Sequence, residues 1–348
     1  FKQKTAYEIM PSLVGSEMCI RDSYIASQFD AAGQSFQSTF GIDKNTSIML
    51  GALIVLIYTL LGGFWAVSVS DTLQGIMMAL SAIILPIVAV KTAGFSAIVS
   101  DLSTQSAFAA PSGMGGIVAI GFVMGTMGIG IAYPGQPHVV NRFMAIEPGR
   151  KIKQGRTIAI GWALIIYPGM ISLGWAGRIL SEIAGHEQIL IVLGNQLLPP
   201  VLAGIILAAV LSAIMSTADS QLLVASSSVS HDLKGKKEEH SLNYTRVVVA
   251  IICVVAVMMA IFVDKSIYSR VLFAFSAMGA AFGPLLLGRM QGGVPRYYAF
   301  AAMAVGFFMT LLFYYSDFKP EGNPLERLVP FIVSMIVVQL GRRKQKQG

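Results

Sequence analysis

The chain has 348 residues, of which 55% are hydrophobic and only 12% are Asp, Glu, Lys or Arg, about half the charged share of a soluble domain. Its apolar residues come in blocks of roughly 20, the length that crosses a bilayer, which excludes a soluble enzyme, a disordered protein and a nucleic-acid binder. The net charge of +7 resides in short loops, where basic residues orient helices, and two cysteines, Cys19 and Cys253, are too few for a disulfide framework or a metal site.

Residues 1–23 are charged and irregular and carry no signal-peptide pattern. The run Met10-Pro-Ser-Leu-Val-Gly-Ser-Glu-Met-Cys-Ile-Arg-Asp-Ser23 resembles translated sequencing adapter, so 1–23 is read as a non-native or disordered segment. A partial helix follows at 24–40. Complete spans are predicted near 46–66, 71–92, 114–137, 156–180, 198–228, 244–263, 268–289, 294–315 and 325–341. That gives an all-α polytopic membrane protein of nine full crossings and one partial one, with a membrane domain over 24–341 and a basic tail at 342–348. The 198–228 span is longer than the bilayer is thick and must tilt or project.

Loop charges set the orientation. One side carries Arg142, Arg150, Lys151, Lys153 and Arg156, then Lys234, Lys236, Lys237 and Arg246, then Arg289 and Arg296, then Arg342, Arg343, Lys344 and Lys346. The other side has only Lys91, Arg178, Lys265, Arg270, Lys319 and Arg327. The positive-inside rule therefore places the C-terminus in the cytoplasm.

Three glycine–proline groups punctuate the spans: Pro134, Gly135 and Pro137 interrupt the end of one, Gly279, Gly283 and Pro284 interrupt another, and Pro168 and Gly169 lie within a third. Proline frees backbone carbonyls, which a membrane tolerates only where they face protein, water or a ligand. Small residues at helix contacts are the competing explanation.

Intramembrane polar groups mark function in such a chain. The richest run is Ala213-Ile-Met-Ser-Thr-Ala-Asp-Ser-Gln221. Its hydroxyls can bond back to carbonyls one turn earlier, as in many membrane helices. They can also join the Ala213 carbonyl as hard oxygen ligands for a small cation. Tyr133, beside the Pro134–Pro137 interruption, reads either as a cavity-lining residue or as an interfacial belt residue. Asp71 opens the 71–92 span, where an N-capping role and a place on an ion route are both open. Arg178, Glu182 and Asp264 read as interfacial charges at outer span ends. His138, His186, His231 and His240 lie at loops or span ends without ligand spacing and read as solvated or capping groups. Hydrolase and phosphoryl-transfer motifs are absent, so no enzymatic chemistry is expected.

The run Tyr58-Thr-Leu-Leu-Gly-Gly-Phe-Trp-Ala66 with Ser70-Asp-Thr-Leu-Gln74 resembles a signature of the solute:sodium symporter family. Tyr133-Pro-Gly-Gln-Pro-His-Val-Val-Asn-Arg-Phe-Met144, Ala213 to Val224 and Gly279-Ala-Ala-Phe-Gly-Pro284 resemble its sodium/proline branch. The resemblance implies a LeuT-type core of two inverted five-helix repeats. It implies that this chain lacks the first three helices and most of the fourth, so that the second repeat (114–289) is complete and the first is not. It also implies that Ala213, Ser216 and Thr217 are sodium ligands and that Asp71 lies on the cytoplasmic sodium route. Tyr133 and Tyr24 match tyrosines that handle substrate. The proline branch has a tryptophan four residues before the tyrosine matched by Tyr133, where this chain has Ile129, and another near Phe275.

The expected function is sodium-coupled symport of proline or a similar small amino acid across a bacterial inner membrane. Na+ is the coupling ion, and no cofactor and no nucleic acid is involved. Another small organic solute, or an inactive truncated fragment, is the alternative. A sensor module is disfavoured because the tail leaves no room for a kinase, and a passive channel because no polar stripe recurs along the spans.

Overall fold

The computed structural model describes residues 14–62, 64–104, 116–147, 149–181, 186–232, 242–263, 266–318 and 323–347, and all of their regular structure is helical. In chain order the helices are α1 (Val14–Phe40), α2 (Lys44–Gly62), α3 (Phe64–Ala93), α4 (Phe95–Thr104), α5 (Ile117–Ile131), α6 (Pro137–Ala145), α7 (Arg150–Leu180), α8 (Ile189–Leu197), α9 (Pro200–Asp232), α10 (Leu242–Phe262), α11 (Ile267–Met290), α12 (Arg296–Tyr315), α13 (Pro324–Arg327) and α14 (Val329–Gln347). Among the described residues nine segments are long and apolar enough to cross a membrane, in agreement with the sequence count.

Several boundaries differ from the sequence reading. The helix expected to begin at 24 begins at Val14, so the disordered reading gives way for residues 14–23, and residues 1–13 lie outside the described residues. The junction between these two spans, expected near 66–71, instead falls between the end of α2 at Gly62 and the start of α3 at Phe64. Asp71 therefore sits two turns inside α3 and cannot cap it. A Tyr58–Ser70 hydroxyl contact ties α2 to α3 beyond that junction. The short helices α4 and α8, too brief to span, fill gaps between spans.

The centre of the molecule is a four-helix cluster. Ile25, Ala26 and Phe29 of α1, Ile48, Ala52 and Val55 of α2, Ala218, Leu222 and Ala225 of α9 and Val248, Ile252 and Ala256 of α10 pack into one buried core. Small residues let these backbones approach: a Cβ on Gly33 would meet Ile48, and one on Gly51 would meet Ala32. Such packing drives association where lipid removes the hydrophobic force between helices. A second cluster joins α3, α7 and α8 through Leu85, Ala89, Leu173, Ala176 and Leu193. Outside these, α11, α12 and α14 pack through Leu285, Ala302, Met303 and Val338.

Of the three glycine–proline groups, only Tyr133–Gly135 breaks a helix, as a single 3-10 turn between α5 and α6. Helices α7 and α11 run through Pro168 and Pro284, which corrects the expectation of a second interruption. Their glycines serve contacts instead. A Cβ on Gly169 would collide with the Ala82 carbonyl, on Gly283 with the Phe331 ring, and on Gly279 with Ala132.

Polar side chains lock one end of the bundle. Asp30 of α1 pairs with Arg270 of α11 at 3.2 Å, both side chains under 5% exposed, and with the half-exposed Lys44 at 3.2 Å. Arg270 also donates to the Val263 carbonyl at the end of α10 (2.6 Å), so it clasps three helices. Glu187 accepts the Tyr268 N–H at 3.0 Å, covering the otherwise unpaired donors of the first turn of α11. Arg178, read as an interfacial charge, pairs with Asp101 at 3.3 Å. Glu182 and Asp264 lie outside the described residues.

Candidate functional site

The site is built around the interruption between α5 and α6. Proline at 134 and 137 cannot donate to the helix ladder, so the chain passes through one 3-10 turn and restarts with Pro137 as the first residue of α6. The turn is pressed onto α11: a Cβ on Gly135 would lie 2.7 Å from the Gly283 nitrogen and 2.8 Å from the Gly279 Cα. Gln136, fully buried, donates to the Phe275 carbonyl at 2.9 Å. Within the break the Ala132 carbonyl accepts from the Gly135 N–H (3.1 Å) and the Gln136 side chain (3.4 Å), so it faces protein, as a membrane interior requires.

This anchoring brings the candidate solute residues together. The Tyr133 ring stands edge-on to the Phe275 ring, with centroids 5.2 Å apart, a favourable aromatic geometry. Tyr24 packs against the buried cluster that holds Ile20 of α1 and Phe273, Ala274 and Ala277 of α11. Ile129 lies one turn before Tyr133 on α5, partly buried. Tyr167 of α7, which the sequence reading did not single out, also comes within interaction range of the Tyr133 phenol.

The second half of the site is on α9. The Thr217 hydroxyl donates to the Ala213 carbonyl at 2.9 Å, the i to i−4 bond open to any hydroxyl in a membrane helix. Ser216 follows the same turn, and its carbonyl accepts from Ser220 at 2.7 Å. What distinguishes this turn is its next partner. Arg142 of α6 donates through Nη2 both to Ser220 Oγ (2.6 Å) and to Asp71 Oδ2 of α3 (2.5 Å). One guanidinium therefore ties α3, α6 and α9 together beside the oxygen-rich turn. Asp219, fully buried, lies 3.4 Å from Ser220 Oγ through Oδ1.

A parallel link joins His138 and Gln221, with Nδ1 and Nε2 3.1 Å apart. The reading of His138 as solvated or capping is corrected by that contact, which holds α6 on α9. The side chains of His186, His231 and His240 lie outside the described residues. Arg142 was counted only as a loop charge, yet the sequence did hold a signal for it. Asp71 and Asp219 are acids at membrane depth, and such acids require a nearby cation or hydrogen-bond donor.

Chemically, the Ala213 carbonyl and the Thr217 hydroxyl offer hard, uncharged oxygens 2.9 Å apart. Hard cations take oxygen ligands at about 2.3–2.6 Å, so both atoms can face one ion. Among the described residues no group of His, Cys, Asp and Glu could hold a transition metal.

Among the described residues, nine candidate spans, one helix interrupted between α5 and α6 and a hydroxyl-rich turn beside it make the kind of arrangement found in LeuT-type membrane transporters. The family model for "Sodium:solute symporter family" matches residues 1–306, and the chain belongs to that family. It is 31% identical over 326 residues to the osmoregulated proline transporter OpuE of Bacillus subtilis, covering 90% of this chain and 66% of that one. It is 33% identical over 302 residues to the sodium/proline symporter of Salmonella typhimurium, covering 81% of this chain and 59% of the relative. The chain thus spans less than two thirds of these relatives' length. A solved Na+-coupled sialic acid symporter, in a substrate-bound outward-open state, superimposes with a TM-score of 0.73 at 20% identity, over 96% of this chain and 74% of that one. That likeness concerns the fold.

Proposed function

We propose that this chain contributes the α9 half of the sodium site and one wall of the solute pocket of a symporter that imports proline or a similar small amino acid, with its C-terminus in the cytoplasm of a bacterial cell. The observation that carries the reading is the oxygen-rich turn Ala213–Thr217 set directly against the Asp71–Arg142–Ser220 network. An ion held by Ala213, Ser216 and Thr217 stabilises the turn, and its release toward Asp71 loosens the contact between α6 and α9. Because α6 continues from the broken helix that carries Tyr133, ion and solute then favour each other's binding reciprocally. Relatives named as proline transporters support the choice of solute.

The test is uptake of labelled proline into cells or vesicles carrying the intact protein, with sodium varied. Thr217→Ala should raise the half-saturating sodium concentration about fivefold or more, equivalent to about 1–3 kcal/mol for one lost ligand, at normal protein level. Unchanged sodium dependence in a correctly inserted variant removes Thr217 from the site. A specific feature favours a second solute: Ile129 and Phe275 form a smaller wall than the indoles of the proline branch. Ile129→Trp should shift competition by a panel of amino acids while leaving sodium dependence intact. Failure of proline to enter or compete would redirect the solute assignment and leave the sodium test standing.

A further inference from the structure

Helices α11, α12 and α14 carry no Asp or Glu anywhere in their sequences, yet five cations converge where α11 ends, α12 begins and α14 ends. Two close backbone approaches fix this convergence. A Cβ on Gly288 would lie 2.4 Å from Val338 Cγ1, and one on Gly341 would lie 2.5 Å from Tyr298 Cβ. Residues 338–344 of α14 are therefore laid along the α11–α12 connection, which puts Arg342, Arg343 and Lys344 at the same end of the bundle as Arg289 and Arg296. Arg342 is consumed in building the surface. Its Nη1 donates to Gln291 Oε1 (2.5 Å) and Gln339 Oε1 (2.9 Å), and its Nη2 to the Gln291 carbonyl (2.7 Å). Lys344 stands 5.9 Å over the Tyr298 ring.

Arg296, Arg343 and Lys344 remain exposed, and among the described residues no carboxylate forms an ion pair with any of the five. The depth of the cluster is marked independently. Tyr297, 78% exposed, and Met290, 69% exposed, flank it at the ends of membrane spans, and tyrosine concentrates at the headgroup level. Clustered like charges repel one another, and a phosphate diester at that level relieves the repulsion with oxygens that both guanidinium and ammonium groups engage.

We infer that this end of α11, α12 and α14 is a docking surface for the headgroup of an anionic phospholipid. The surface lies away from the broken helix and the α9 turn, and its α14 part falls beyond the family match, so it does not depend on the transport reading. The test is native mass spectrometry of the intact protein in detergent, comparing retained phosphatidylglycerol with phosphatidylcholine. Each neutralised cation near a membrane surface weakens anionic-lipid attraction about fivefold. The triple variant R296Q/R343Q/K344Q should therefore lose a phosphatidylglycerol preference that the wild-type protein shows at about tenfold or more. The variant K151Q/K153Q/R156Q, which neutralises basic residues at the start of α7, should keep it. A preference that survives the first variant, or is lost equally in both, overturns the inference, because the attraction then belongs to another site or to the basic face as a whole. Glycerol 3-phosphate in solution should not compete, and competition at equal phosphate concentration would reassign the surface to a free anion. Should the first variant not fold, a photoactivatable phosphatidylglycerol on the wild-type protein should label peptides covering 289–298 and 341–344, and labelling confined to other regions refutes the assignment.

Discussion

Removing the carboxylate of Asp30 is the sharpest test of how the bundle is held. Asp30 and Arg270 are both almost fully buried, 3.2 Å apart, and Arg270 reaches the Val263 carbonyl with its other terminal nitrogen. Replacement by Asn leaves a desolvated guanidinium without its counter-charge, and breaking a buried pair from one side costs about 3–5 kcal/mol. Lys44 contributes little, because an ion pair involving a half-exposed side chain is worth about 0–1 kcal/mol. Asp30→Asn should therefore lower the midpoint of thermal unfolding by about 4–7 °C for a chain of this size, and Lys44→Gln should barely move it. Cys253 supplies the assay, being a free thiol buried between α10 and α2 that reacts with a fluorogenic dye only on unfolding, once Cys19 is replaced by Ser. The double variant Asp30→Leu with Arg270→Met, which removes both charges and keeps apolar volume, should recover most of the loss. If Asp30→Asn costs less than about 1 kcal/mol, or if the double variant is worse than the single one, the pair does not carry the stability argued for it.

Three further outcomes follow from the geometry. Gly279→Ala places a methyl group 2.2 Å from Ala132 Cβ, which forces the broken helix off α11. It should cost about 1–3 kcal/mol by overpacking and abolish transport more fully than it lowers protein level. Arg142→Gln strands Asp71 and frees Ser220, so it should raise the sodium concentration needed for uptake about fivefold, a loss of about 1 kcal/mol, with partial recovery in Arg142→Lys. An unchanged sodium curve argues that the network is only a fastener. A cysteine placed at Lys236 should be labelled by an impermeant thiol reagent only from the cytoplasm and one at Glu321 only from outside, and labelling of both from one side would falsify the orientation.

The spans were legible because each depends on a local property, a run of apolar residues as long as the bilayer is thick. Features that depend on a partner were not. Residues 14–23 mix apolar with charged and hydroxyl side chains and show no apolar run, and nothing local says that α1 continues through them. Asp71 looked like a helix start, whereas α3 begins at Phe64. Gly279, Gly283 and Pro284 have the same composition as a true break, but their glycines are holes that receive Ala132 and Phe331. A sequence cannot separate a glycine that unwinds from a glycine that admits a neighbour. The difference lies on the other helix.

The site divides along the same line. Ala213, Ser216 and Thr217 belong to one helical turn, so their proximity follows from a rise of about 1.5 Å per residue and could be stated in advance. Arg142 lies 71 residues from Asp71 and 78 from Ser220, and no periodicity connects them. What does connect them is a requirement on charge. Asp71 sits in an apolar span whose own basic residue, Lys91, is about 30 Å further along the helix at that same rise, so its carboxylate needs a cation from another element. The short helix just past a helix break is a natural source, because the break lets the following segment turn back across the bundle. Read that way, the Pro134–Pro137 interruption does two things at once: it exposes the wall that carries Tyr133, and it delivers Arg142 to the mouth of the turn that carries Thr217. Tyr133 and Arg142 then ride on one mechanical element, the interrupted α5–α6 segment, which is the arrangement that the proposed coupling of solute and ion requires.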